Sequence, residues 1–140
     1  ILKKEGKLTE EEWLVMRDHV FKGARILEPL DDFKEVAKIV MLHHENYDGS
    51  GYPYGLKGNE IPIEARIICV VDTFHAMVST RCYRKGRPFD YAIKELEKCA
   101  GKQFDPQVVK AFVSAINKRL RPQYDEETGL EITPSQQQAS

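Results

Sequence analysis

Trp13, Met16, Val20, Ala24 and Leu27 recur at intervals of three and four residues near the start of the chain. Such intervals gather apolar groups on one side of an α-helix. Thr9 followed by Glu12 forms a capping-box signature, so a helix is predicted over 10–27, ended by Pro29. A second helix is expected from Asp31 or Asp32, with Phe33, Val36, Ala37 and Val40 as its inward stripe. His44 continues that stripe one turn later, and His43 lies about 100° round the axis, beside Val36, Ile39 and Val40. Both imidazoles therefore fall on the core-facing half.

Residues 45–61 lack periodicity and are punctuated by Gly49, Gly51, Pro53, Gly55 and Gly58. A connection of that length inside a domain is more often functional than idle. A helix restarts at Pro62, an allowed first-turn residue. From Ile67 to Val78 it is apolar on almost every face, which predicts the central buried helix. Two further helices are expected, one from about Asp90 to Cys99 with a stop at Gly101, the other from Pro106 to about Leu120 with Asp105 as N-cap. Beyond Arg121 the apolar pattern fails, and residues 123–140 read as a flexible tail. Each predicted element is helical, so the expected fold class is all-α.

Composition narrows the partners. With 21 Lys and Arg against 22 Asp and Glu, the chain is close to neutral, which argues against a nucleic-acid polymer or a membrane surface as partner. No apolar run approaches the roughly 18–20 residues that span a bilayer, and no secretory signal pattern is present. A soluble, cytoplasmic chain without direct membrane contact is expected. Cys69, Cys82 and Cys99 suit neither a disulfide framework nor a CxxC metal knuckle and read as reduced thiols. The chain starts at Ile1 without Met, which reads as an excerpt of a longer polypeptide or a processed piece of one.

Asp72 asks for a chemical explanation. Within IICVVDTFHAMV a lone carboxylate faces a desolvation penalty of several kcal/mol, so a partner is required: a buried cationic side chain, or a metal ion. Taken singly, His19, His43 and His44 are compatible with capping, surface or core roles. Yet His19 has Val15, Met16, Gly23 and Ile26 as helical neighbours, with small Gly23 leaving room for another element to approach. Three histidines and an aspartate drawn from three helices can converge in a bundle core. Imidazole plus carboxylate is a donor set for iron, manganese or zinc rather than calcium. His75, one turn after Asp72, could contact it or orient a ligand, or serve structurally. Arg81, Arg84, Lys85 and Arg87 form either a solvated cluster or a set of donors for anionic oxygens, and Tyr47, Tyr52 and Tyr54 offer faces for a nucleobase. The glycine-rich loop reads as a substrate-binding lip.

The run HHENYDGSGYPYGLKGNEIPIEARIICVVDTFHAM, with LKKEGKLTEEEW before it and RCYRKG and GKQFDP after it, resembles the HD-GYP domain of the HD phosphohydrolase superfamily. The likeness covers roughly residues 1–115, and its HHE, GSGYP and GLKG elements stand in order at tight spacing. It implies an HD-domain-like helical bundle, with about five helices here and the family's N-terminal helices missing. Residues 1–122 would be the C-terminal portion of such a domain. It implies hydrolysis of the bacterial second messenger cyclic di-GMP to pGpG and GMP at a centre of two or three divalent metal ions, iron or manganese. His19, His43, His44 and Asp72 match metal-ligand positions, with His43, His44 and Asp72 counted as catalytic. Tyr52, Arg81, Arg84 and Lys85 are the implied substrate contacts. A receiver or sensor domain fused upstream is also implied, and a homodimer is compatible with the family.

The chain departs from the family at several places. It contains no His-Asp pair, so the HD dyad and the lysine that follows it are not among its residues. His75 stands where the family has Asp, Thr80 replaces an Asp, and Val20 replaces a common Pro. The parent domain is expected to be a phosphodiesterase, whereas this chain alone lacks a bridging carboxylate and a proton-donating lysine. The alternative is a non-catalytic module that binds a cyclic dinucleotide or a protein.

Overall fold

The computed structural model describes residues 9–79 and 85–119. Its regular elements are five α-helices, α1 (Glu10–Leu27), α2 (Lys34–Leu42), α3 (Ile63–Val78), α4 (Phe89–Lys98) and α5 (Pro106–Arg119), with 3-10 turns at Asp31–Phe33 and Gly58–Glu60. Among the described residues there is no β-strand, in agreement with the all-α expectation. The tail at 123–140, Thr80, Arg81, Cys82 and Arg84 lie outside the described residues. No helix among those described is long and apolar enough to cross a membrane.

The chain divides into two units, residues 1–65 and 66–140. In the first, the Thr9 hydroxyl accepts from the Glu12 amide at 3.3 Å while the Glu12 carboxylate accepts from the Thr9 amide at 2.7 Å, closing the capping box that starts α1. Helix α1 packs on α2 through buried Val20, Ala24 and Ala37. Gly23 makes that approach close: a Cβ there would stand 3.2 Å from Val40 Cγ1. The predicted stripes hold at their centres and fail at their ends, since Trp13, Phe33 and Val36 are exposed. A small second core of Leu42, Ile61 and Ala65, flanked by Ile39, Met41 and Leu56, ties the end of α2 to the start of α3.

In the second unit, Cys69, Val70, Phe74 and Val78 of α3 form a core with Phe89, Ala92, Ile93 and Leu96 of α4 and Val108, Val109 and Ile116 of α5. The α4 positions follow the i, i+3, i+4, i+7 rule. Phe74 sits edge-on to Phe89 and Phe112, with ring centroids at 5.5 and 5.2 Å. Helix α3 is not the fully buried helix predicted from its composition. Ile67, Ile68 and Val71 are exposed, because the α3 core contacts run along the single stripe Cys69, Val70, Phe74 and Val78.

Asp105 links α3 to the start of α5. One oxygen accepts from Arg66 Nη1 at 2.6 Å and the other from the Gln107 amide at 2.8 Å, so the carboxylate is both ion pair and N-cap. Both side chains are largely buried. Removing one partner of such a pair strands the other charge. Asp105→Ala is expected to cost about 3–5 kcal/mol in urea unfolding, and Asp105→Asn, which keeps a capping oxygen, distinctly less.

Candidate metal centre

His19 projects from α1, His43 is the C-cap of α2, and His44 stands in the turn just beyond it rather than in the helix. The ring nitrogens His19 Nε2 and His44 Nε2 are 3.1 Å apart. One ligand atom from each of the three histidines lies within 4.8 Å of the others. Two nitrogens bound at ~2.0–2.1 Å to one ion stand roughly 3 Å apart. The observed spacing is thus that of neighbouring ligands, and it also suits an N–H···N hydrogen bond.

Backbone carbonyls set the tautomers. His19 Nδ1 meets the Met16 carbonyl, and His43 Nδ1 meets the Val40 carbonyl at 2.5 Å. A carbonyl oxygen can only accept, so each Nδ1 carries a proton, and in the neutral imidazole this leaves the lone pair on Nε2, the form that binds a cation. Both contacts reach three residues back, to a carbonyl one turn earlier on the same helical stretch. The donor set therefore fits a transition-metal ion.

The loop after His44 folds back on the histidines. Glu45, 2% exposed, takes the Tyr54 amide on Oε1 at 2.7 Å and the Leu56 amide on Oε2 at 2.9 Å. The Tyr52 amide donates to the His44 carbonyl at 3.2 Å. Gly51 makes this possible: a Cβ would lie 2.2 Å from the Asn46 nitrogen and 2.5 Å from the His44 oxygen, both backbone atoms that cannot swing aside. Tyr52 then stacks on the His44 ring, centroids 5.0 Å apart and planes within 19°. Burial raises its phenol pKa, and the Arg17 charge opposes that shift. At the loop tip, Asp48 is held below the usual carboxylate range by its hydrogen bonds to Ser50.

Residues 1–108 match the family profile described as "HD domain". The chain belongs to the HD-domain family. Among proteins similar to this HD domain is the cyclic di-GMP phosphodiesterase of Thermotoga maritima, 44% identical over 133 residues, which cover 91% of the chain and 36% of that protein. Another is the cyclic di-GMP phosphodiesterase response regulator RpfG of Xanthomonas campestris, 44% identical over 115 residues, 81% of the chain and 30% of the relative. The 3'3'-cGAMP-specific phosphodiesterase 3 of Vibrio cholerae is 39% identical over 117 residues, 84% of the chain and 25% of the relative. This HD domain thus spans about a third or less of the length of these relatives. A crystal structure of a cyclic GMP-AMP-specific phosphodiesterase of V. cholerae superposes with a TM-score of 0.65 at 21% identity, over 81% of the chain and 26% of that structure. A likeness at that identity speaks for the fold, and it agrees with the HD-domain-like helical expectation.

The remaining expected site residues of the HD domain are placed as follows. His19, His43, His44 and Tyr52 are brought together. Asp72 belongs to the second unit, on α3, and is exposed rather than buried. The expectation of burial failed because it inferred four-sided packing from an apolar run, whereas the packed stripe of α3 passes through Val70 and Phe74 instead. His75 and Lys85 are exposed as well, and Arg81 and Arg84 lie outside the described residues. Tyr54 is exposed, its hydroxyl donating to Met41 Sδ at 3.2 Å. Sequence reasoning missed Glu45 and Arg17, because neither residue's role shows in local periodicity. Glu45's position directly between the histidine pair and the loop was the available signal.

Two measurements follow. Glu45→Ala leaves the Tyr54 and Leu56 amides without their acceptor, at about 1–3 kcal/mol each. Native-state hydrogen exchange at those two amides is expected to accelerate at least tenfold, with the α5 amides unchanged. The Cys69 thiol is pushed up to about 11, first by burial and then by the Asp72 carboxylate. At pH 8 iodoacetamide is therefore expected to label Cys69 far more slowly than half-buried Cys99. The folded thiol keeps its proton while an unfolded one ionises near 9.0, so this group lowers stability as pH rises from 9.0 towards about 11 and has no effect below.

Proposed function

We propose that the protein of which these residues form part is a metal-dependent phosphodiesterase of the HD-GYP branch that opens cyclic di-GMP to pGpG and then GMP. The observation that carries this reading is the meeting of the His19, His43 and His44 nitrogens beside the ring of Tyr52. The relatives' activities support the reaction class. In this reading the three imidazoles supply part of the ligand set for a centre of two or three divalent ions, iron or manganese. When bound, such ions offset charge on phosphoryl oxygens and acidify water for in-line attack on phosphorus.

The chain's own residues do the rest. The Met16 and Val40 carbonyls keep the His19 and His43 protons on Nδ1, leaving Nε2 for the cation. Glu45 holds the loop folded, and Tyr52 sets its phenol next to His44, where a nucleobase or sugar meets its edge and hydroxyl. Asp72 as a ligand, and Arg81, Arg84 and Lys85 as phosphate contacts, enter through the family resemblance alone. Cytoplasmic placement and a fused upstream receiver or sensor domain complete the proposal; the Xanthomonas relative is itself named a response regulator.

The native protein loaded with manganese or iron is expected to convert cyclic di-GMP to pGpG and GMP. His43→Ala and His44→Ala should each lower the rate more than about 100-fold together with bound metal, and chelation should abolish it. Loaded protein that leaves cyclic di-GMP intact while a Thermotoga-type relative cleaves it in the same assay overturns the proposal. Cleavage of 3'3'-cGAMP in place of cyclic di-GMP overturns the substrate assignment.

A further inference from the structure

Tyr52 is engaged from three directions. Its amide is pinned to the His44 carbonyl at 3.2 Å, its ring stacks on His44 at 5.0 Å, and the Arg17 guanidinium lies 5.5 Å from its ring centroid. The last distance is within the roughly 6 Å over which a cation is attracted to an aromatic face. Arg17 is placed for this by α1: it stands two residues before His19, so the helix that supplies one imidazole also supplies the cation facing the tyrosine. The neighbouring carboxylate on the same helix, Asp18, is paired with Lys22 at 2.9 Å.

The geometry points to Arg17 as a positioning residue that holds the Tyr52 ring on His44 and so fixes the phenol edge and hydroxyl beside the histidines, where they meet substrate. This rests on the reading of the histidine cluster as the phosphodiesterase site. The clamp acts through Tyr52, and its strength depends on the positive charge over the ring rather than on a hydrogen bond. Arg17→Lys therefore preserves part of it, and Arg17→Met, of similar length but neutral, removes it. A tyrosine free to swing off His44 must be ordered again when substrate binds, which weakens binding without touching the chemical step.

The test has two arms. In metal-free protein carrying labelled tyrosine and histidine, nuclear Overhauser contacts between the Tyr52 and His44 rings are expected in the native chain, weakened in Arg17→Lys and lost in Arg17→Met, with the melting temperature unchanged. Contacts of native intensity in Arg17→Met overturn the clamp. In the manganese-loaded native protein acting on cyclic di-GMP, Arg17→Met should raise KM about two- to fivefold at near-constant kcat and unchanged metal content, with no further effect in a Tyr52→Leu background. An undiminished KM effect in that background means direct contact with substrate and overturns the positioning role. If the native protein leaves cyclic di-GMP intact, the functional reading fails, and the ring contacts still decide the clamp.

Discussion

The first unit depends on a buried carboxylate turned towards two backbone amides. Glu45 accepts from Tyr54 and Leu56, nine and eleven residues further on, and so bends the glycine-rich segment back over the end of α2. A carboxylate at 2% exposure is costly unless its lone pairs are taken. Charge-assisted bonds to amides meet that need. Those amides in turn lie in a loop with no regular ladder of its own. Each side supplies what the other lacks.

From that constraint the site follows by short steps. With the loop bent back, Gly51 can lie on the His44–Asn46 backbone, where any side chain would collide. Tyr52 then arrives over His44, and Asp48 and Lys57 pair across the loop as an isolated antiparallel bridge. The His19 and His43 imidazoles are oriented by carbonyls three residues upstream, so the helix backbone acts as the second layer of the candidate centre. The packing of Gly23 against Val40 is not chemistry, yet it brings α1 close to the helix that leads into His43 and His44.

The second unit is organised differently. Its core is aromatic and aliphatic, with Phe74 between Phe89 and Phe112, and its polar anchor is the Arg66–Asp105 pair at the head of α5. Asp105 had been legible as an N-cap from its place before Pro106; its partnership with a residue 39 positions away was not. Cys69 shows how the same helix governs reactivity: one turn from Asp72 and mostly buried, its thiol holds its proton well into alkaline solution.

What the sequence determined by itself was local. The α1 boundaries with their capping box, the existence of α4 and α5 with the Asp105 cap, the turn signals of residues 45–61 and the family resemblance are all carried by neighbours in the chain, because helix period, capping and turn chemistry act over a few residues. The candidacy of His19, His43 and His44 was legible in the same way. What only tertiary structure decided was which faces are covered and which polar groups meet. The exposure of Asp72, Ile67 and Val71, the burial of Glu45, the stacking of Tyr52 on His44 and the cation of Arg17 over that ring depend on how the loop folds back and which elements pack together, beyond the reach of helix period or capping. An apolar run says that burial is favourable; which side of it is buried is set by the elements that pack there.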